Sequence, residues 1–270
     1  MVDKARARQK QGIVKFPNEL SGLILTTESD ERLTSIVLNE AHKMRIERIL
    51  HEFHQKSTLK QHGMSHRRKI LLSGPPGTGK TLTASVIAGE LGLPLRTIQV
   101  DRLVTKFMGE TAAKLRQIFD VIRESPGVFL FDEFDAIGGD RGRENDVGEM
   151  RRVLNSFLQF IESDSSDNII VAATNNAHLL DRALFRRFDD TLYYDLPSPI
   201  EREHLIENLL TTFNSQISGI KGAITASEGL SHADITAACY DSIKGAILGN
   251  KKTVTSKSLK MHLEERKSAY

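Results

Sequence analysis

Short continuous apolar runs recur along the chain, each closed by glycine or polar residues. They are Ile70-Leu71-Leu72, Val128-Phe129-Leu130-Phe131, Ile169 to Ala173, and Leu192-Tyr193-Tyr194 leading to Pro197, and Leu95 to Val100 adds a β-like run in which Arg96, Thr97 and Gln99 stand among apolar residues. Runs of this length and continuity predict strands buried on both faces. Between them the spacing changes to three and four, with Leu115, Ile118, Phe119 and Ile122 on one helical face and Met150, Val153, Leu154, Phe157, Leu158 and Ile161 on another. Strands alternating with helices predict an α/β fold, a parallel sheet covered on both faces.

The ends of the chain read differently. Residues 1–16 carry five lysines and arginines against Asp3 alone and read as a solvated basic tail. Thr27-Glu28-Ser29-Asp30 has the form of a capping box. The helical spacing of Leu33, Ile36, Val37, Met44, Ile49, Leu50 and Phe53 then predicts a helix from Asp30 to about Gln61, stopped by Gly63. Glu47, His51 and His54 could be drawn as a metal site, but further ligands are lacking and the face reads as solvated. Gly138 to Gly148 reads as a loop. Beyond a Pro197–Pro199 hinge the pattern is helical only, over Ile200–Phe213, His232–Leu248 and Ser256–Glu265. The predicted division is a tail at 1–20, an α/β unit at 21–196 and a small helical lid at 197–270.

Composition narrows the partners. Lys+Arg 37 against Asp+Glu 35 gives a net charge of +2, so no excess of positive charge calls for nucleic acid. No apolar run approaches the ~20 residues that span a bilayer, and Cys239 is the single cysteine. The expectation is a cytoplasmic protein with no membrane contact.

Candidate chemistry begins at Gly74-Pro75-Pro76-Gly77-Thr78-Gly79-Lys80-Thr81-Leu82, which follows one apolar run and opens a helix. That order is what a phosphate-binding loop requires: the glycines turn backbone N–H groups inward and the helix adds its positive end. Lys80 would reach the β- and γ-phosphates of ATP, and the Thr81 hydroxyl would ligate Mg²⁺. Asp132 and Glu133 close the strand Val128–Phe131. Adjacent side chains on a strand point to opposite sides, so the two carboxylates take separate tasks. Asp132 would hold Mg²⁺, and Glu133 would position or deprotonate the attacking water.

Four segments together resemble the AAA ATPases: Gly74–Thr81, Phe129–Ile137, Ala172–Asn175 and Leu180–Asp189 look like that family's Walker A, Walker B, sensor 1 and second region of homology. The resemblance covers roughly residues 59–240 and is nearest the branch containing katanin, spastin, fidgetin and the bacterial membrane AAA proteases. It implies a homo-hexameric ring with ATP between subunits. It also implies that Asn175 orients the attacking water and that Arg186 and Arg187 stand where arginine fingers act on the next subunit's γ-phosphate. The common pattern spaces those arginines three apart; here they are adjacent, so Arg186 is the first choice, while Arg187 could instead pair with a local carboxylate such as Asp189. Glu228–Ile235 looks like the lid segment near the adenine. Ala233 matches there, and His232 stands where glycine is usual.

Lys106-Phe107-Met108 resembles the pore loop that offers an aromatic group to the ring's centre, although Phe107 also lies one helical turn after Leu103, as a core residue would. Gly138–Gly148 would be a second pore loop. The implied function is ATP hydrolysis coupled to threading or remodelling of a protein substrate. The alternatives are a nucleic-acid motor or loader and a nucleotide-dependent assembly switch. The zinc-protease His-Glu-x-x-His pattern does not occur in the 270 residues, so a separate adaptor or protease partner is a further expectation.

Overall fold

The structure is a computed structural model that describes residue 20 and residues 22–103, 110–135, 144–176, 182–211 and 220–268. The described residues form six strands: β1 (Ile24–Thr27), β2 (Lys69–Ser73), β3 (Leu95–Ile98), β4 (Val128–Phe131), β5 (Ile169–Thr174) and β6 (Asp190–Tyr193). They make one sheet in the order β1-β3-β4-β5-β2-β6, parallel except for β1, which runs antiparallel to β3 with Ile24 opposite Ile98. In register, β2 lies beside β5 with Ser73 opposite Thr174, and β5 beside β4 with Ala172 opposite Phe131.

Helices cover both faces. On one side α5 (Glu110–Glu124) and α6 (Glu144–Ser163) pack Leu115, Ile118, Phe119, Phe157 and Ile161 against Leu71, Phe129, Phe131, Ile170 and Ala172. On the other, α1 (Glu40–His54) and α3 (Lys80–Leu91) pack Ile46, Ile49, Ala84 and Ile87 against Ile70, Leu72, Leu130, Val171 and Ala173. Successive strand residues serve opposite faces, which is why the runs Ile70–Leu72, Val128–Phe131 and Ile169–Ala173 contain no polar interruption. Each such side chain contributes about 1.5–3 kcal/mol by burial. The rings of Phe119, Phe131 and Phe157, with centroids 5.0–6.0 Å apart, add edge and stacking contacts.

After β6 come α8 (Pro199–Thr211), α9 (Ile220–Ala226), α10 (His232–Leu248) and α11 (Ser256–Ser268), with a core of their own around Ile206, Leu210, Ile235, Ala238, Leu259 and Leu263. The short helices α2 (Lys56–Gln61), α4 (Val100–Leu103) and α7 (Arg182–Phe185) complete the described elements. Among the described residues no helix is long and apolar enough to cross a membrane.

The predicted helix from Asp30 to Gln61 is not formed as such. Ile24–Thr27 is the edge strand β1, and residues 28–39 cross α3 with only a 3₁₀ turn at Leu33–Ser35. The Ser29 hydroxyl donates to the Ser85 carbonyl at 2.8 Å, and the Leu33 N–H donates to Glu90 Oε1 at 2.8 Å, so the polar groups that mimic a cap are used between elements. The cap of α1 is Asn39, whose Oδ1 accepts the His42 N–H at 2.8 Å.

Three smaller differences follow the same logic. β3 ends at Ile98 and Val100 opens α4. α6 already begins at Glu144, inside the predicted loop, since a glycine such as Gly148 costs a helix only about 1 kcal/mol. β6 starts earlier than expected because pairing with β2 begins where the Asp189 N–H donates to the Lys69 carbonyl at 2.8 Å.

Candidate active site

The sheet order places β5 between β2 and β4, so the segments leaving their C-terminal ends meet. The Gly74 N–H donates to the Thr174 carbonyl at 3.3 Å, and the Phe134 N–H to the Ala173 carbonyl at 2.8 Å. The loop after β2 and the turn after β4 are thereby tied to the same strand.

The loop Gly74–Gly79 depends on glycine at its first residue. Gly74 has φ +150°, and a Cβ there would sit 2.2 Å from the Tyr194 carbonyl oxygen. Side chains brace the rest: Thr78 Oγ1 donates to the Pro75 carbonyl at 2.8 Å, and Thr83 Oγ1 lies 3.0 Å from the Gly79 carbonyl and 2.7 Å from the Tyr194 hydroxyl. Lys80 is buried and arches back, its Nζ donating to the carbonyls of Gly74 and Pro75 at 2.7 Å each. Burial lowers its pKa, while Asp132 and Asp135 oppose that effect.

Asp132 and Glu133 are not the last residues of a strand, as the sequence reading had them: β4 ends at Phe131 and both lie in the turn that follows. Thr81 Oγ1 donates to Asp132 Oδ2 at 2.8 Å, and the Glu133 N–H donates to Asp132 Oδ1 at 2.9 Å. Glu133 has φ +50°, left-handed for a residue with a side chain. The two carboxylates are separated by this backbone turn rather than by strand alternation, and strain of this kind concentrates at functional positions.

Asn175 follows β5, and here the sequence reading missed a partner. Asp135 Oδ1 accepts from Thr174 Oγ1 at 3.1 Å and from the Asn175 N–H at 3.2 Å. The signal was the third carboxylate of Asp132-Glu133-Phe134-Asp135.

A cavity of about 830 Å³ joins these groups to the helical unit. One end holds Pro76 to Leu82, Asp132, Glu133 and Asn175; the other is walled by Ile36, Val37, Leu205, Leu209, His232, Ala233, Thr236 and Tyr240. The N-terminus of α10 is joined to the loop directly, the Ala233 N–H donating to the Gly77 carbonyl at 3.0 Å. Ser231 and Asp234 cap that helix reciprocally. Lys80 is the only lysine or arginine among the described lining residues.

This end of the cavity fits a triphosphate with a divalent cation. The positive-φ glycines 74, 77 and 79 lie in the loop, α3 begins at Lys80, and a hydroxyl and a carboxylate stand within reach of one ion. Among the described residues no group of three His, Cys, Asp or Glu could hold a metal ion. Mg²⁺ would therefore take Thr81 and Asp132 from the protein and its other ligands from phosphate and water.

Arg186 and Arg187 follow α7 and are exposed, outside the cavity lining. Arg187 pairs with Glu162 of α6 rather than with Asp189, whose carboxylate accepts the N–H groups of Arg68 and Lys69 at 2.9 and 3.0 Å. Arg186 makes no ion pair with a described residue. Lys106, Phe107 and Met108, Ile137 to Arg143 and Leu180 to Asp181 lie outside the described residues.

The family model "ATPase family associated with various cellular activities (AAA)" matches residues 70–196. The "Uncharacterized AAA family ATPase y4kL" of Sinorhizobium fredii is 34% identical over 253 residues, which are 94% of this chain and 76% of that protein. The chain belongs to the AAA ATPase family. It is an ATPase, and the loop, the carboxylate turn and Asn175 all fall inside the matched region.

This AAA ATPase is also 37% identical to the "ATP-dependent zinc metalloprotease FtsH" of Karelsulcia muelleri over 69% of its length; it spans only 32% of that relative. The crystal structure of the FIGL-1 AAA domain shares the fold, with a TM-score of 0.72 at 23% identity, covering 97% of this chain and 96% of that one.

Proposed function

We propose that this AAA ATPase works as a homo-hexameric ring that grips and remodels protein substrates, with ATP held in the 830 Å³ cavity. The carrying observation is a scarcity of positive charge among the described residues of that cavity. They collect the groups for a metal and for the attacking water, yet Lys80 is the only lysine or arginine among them, while Arg186 stands exposed elsewhere on the surface. A second subunit would supply Arg186 to the γ-phosphate, completing a site that one chain leaves half built.

Each residue then has a task. The loop's N–H groups and Lys80 hold the β- and γ-phosphates, which requires Lys80 to leave its two carbonyl partners. Mg²⁺, held through Thr81 and Asp132, would neutralise charge on the phosphate oxygens. Glu133 takes up or directs the proton of the attacking water, and Asn175 orients that water from a position fixed by Asp135. Ala233 reports the state of the loop to the helical unit through its bond to Gly77. We divide the chain near residue 196 into an ATPase subdomain and a helical lid, and place it in the branch of katanin, spastin, fidgetin and the membrane AAA proteases. The separate core of the lid and the likeness to FtsH support those assignments.

A net charge of +2 favours protein over nucleic acid as the substrate. Turnover measured with unfolded protein and with single-stranded DNA tests this. Stimulation by unfolded protein alone is expected; stimulation by DNA alone points to a nucleic-acid motor, and by neither to an assembly switch.

A further inference from the structure

His232 is the first residue of α10 and lines the nucleotide cavity beside Leu205, Leu209, Ala233 and Tyr240. Both of its ring nitrogens are buried, and neither has a hydrogen-bond partner among the described residues. Each unpartnered nitrogen forfeits the bond it makes to water in the unfolded chain, and buried polar groups seldom stay so unless a ligand or a water meets them. Burial lowers the pKa of His232, with Glu201 on α8 opposing the effect. The ring is therefore neutral at pH 7, with one N–H donor and one bare acceptor.

The orientation of a nucleotide follows from its charged end. Lys80, Thr81 and Asp132 fix the phosphates, so the base lies at the apolar end between Ile36, Val37 and the helices α8 and α10. Thr236 uses its hydroxyl on the His232 carbonyl at 2.8 Å, and Tyr240 is exposed. Glu31 and Ser35 line the cavity before Ile36, and of the polar side chains that α8 and α10 bring to it the imidazole of His232 is the half-buried one whose polar atoms have no partner among the described residues. Since its nitrogens are covered, His232 meets the cavity through other atoms. A half-turn about Cβ–Cγ exchanges the two nitrogens with two ring carbons and leaves the shape of the side chain unchanged.

We propose that His232 reads the base: on nucleotide binding its ring turns a bare nitrogen onto the exocyclic 6-amino group of adenine, and so sets the preference for adenine nucleotides. This rests on ATP occupying the cavity as proposed above.

The test uses ADP and purine riboside diphosphate, which lacks the 6-amino group, so that no turnover intervenes. Calorimetry on the full chain should show ADP bound about 5- to 10-fold more tightly than the analogue, as one buried hydrogen bond allows. His232→Ala should weaken ADP and shrink the ratio to less than about 2-fold while leaving the analogue's affinity near that of the parent. A full preference retained in a variant that melts with the parent overturns the proposal, as does a parent with no preference. If His232→Ala folds poorly, His232→Leu keeps the volume without a nitrogen and carries the same two outcomes. Lys80→Ala run alongside separates the levels. If it binds ADP as the parent does, the cavity assignment falls and His232 with it; if it loses binding while His232→Ala keeps the preference, only the base-reading role falls.

Discussion

Lys80 meets phosphate in the ground state, whereas Glu133 acts on a water that matters only during transfer, so their substitutions should separate. Lys80→Ala is expected to weaken ATP by on the order of 100-fold or more, through loss of a charge-assisted bond to phosphate. Glu133→Gln is expected to keep ATP affinity and lower turnover about 10²- to 10⁴-fold. Calorimetry and a phosphate-release assay on both variants check this, and equal ATP affinity of Lys80→Ala and the parent would count against it. A second residue tests the brace behind the loop. The Tyr194 hydroxyl, 2.7 Å from Thr83 Oγ1, has its pKa pushed up to about 12 by burial, against an ordinary value of 10.0. Above pH 10 the unfolded chain gives up this proton while the folded one keeps it, so the unfolded state binds fewer protons and stability falls as pH rises toward 12. Tyr194→Phe should be about 1 kcal/mol less stable at pH 7 and should lose less stability than the parent between pH 10 and 12. Denaturant titrations across that range read both. At this scale the sequence made legible the groups whose chemistry is tied to a motif, such as Lys80, Thr81 and Asp132. It did not reveal the role of Asp135: the third carboxylate after the strand was visible, but which side chain and backbone N–H it holds, Thr174 and Asn175 at the end of β5, depends on strand order.

Among the elements, the three strands that carry the site were readable because both of their faces are buried and their runs are uninterrupted. The stretch from Ile24 to Gln61 was misread for a definite reason. Its apolar residues Leu33, Ile36 and Val37 have the three-and-four spacing of a helix, but Leu33 lies in a 3₁₀ turn packed on the α3 side of the sheet and Ile36 and Val37 line the cavity. Capping decides where α1 starts, so Asn39→Ala should cost about 1 kcal/mol, whereas Asp30→Ala should cost much less. Thermal melting of the two variants compares them, and a larger loss for Asp30→Ala would restore the longer helix. Beneath β2 and α6 the buried Arg68 and Asp164 form an ion pair, and Arg68 also donates to the Asp164 carbonyl. Asp164→Ala leaves a buried guanidinium without its anion and is expected to destabilise by about 3–5 kcal/mol. Urea unfolding checks the figure, and a change below 1 kcal/mol would mean that water reaches Arg68.

At the scale of the whole molecule, assembly into a ring decides whether this chain is a motor. Phe107→Ala separates grip from catalysis: basal turnover should stay within a few-fold of the parent while stimulation by unfolded protein disappears. A core Phe107 would instead lower the melting temperature and all activities together, as truncation of a buried aromatic costs about 3–5 kcal/mol. The central claim is that Arg186 completes the site of a neighbouring subunit, and it is tested most directly by mixing two inactive variants. Arg186→Ala should bind ATP and lose about 10³- to 10⁵-fold in rate, and Glu133→Gln should be similarly silent. In a random equal mixture about a quarter of the interfaces join an intact Glu133 to an intact Arg186. ATP hydrolysis by that mixture should rise far above either variant alone, toward about a quarter of the parent rate. A mixture that stays silent, with mixed rings demonstrated in the same sample, would contradict the account.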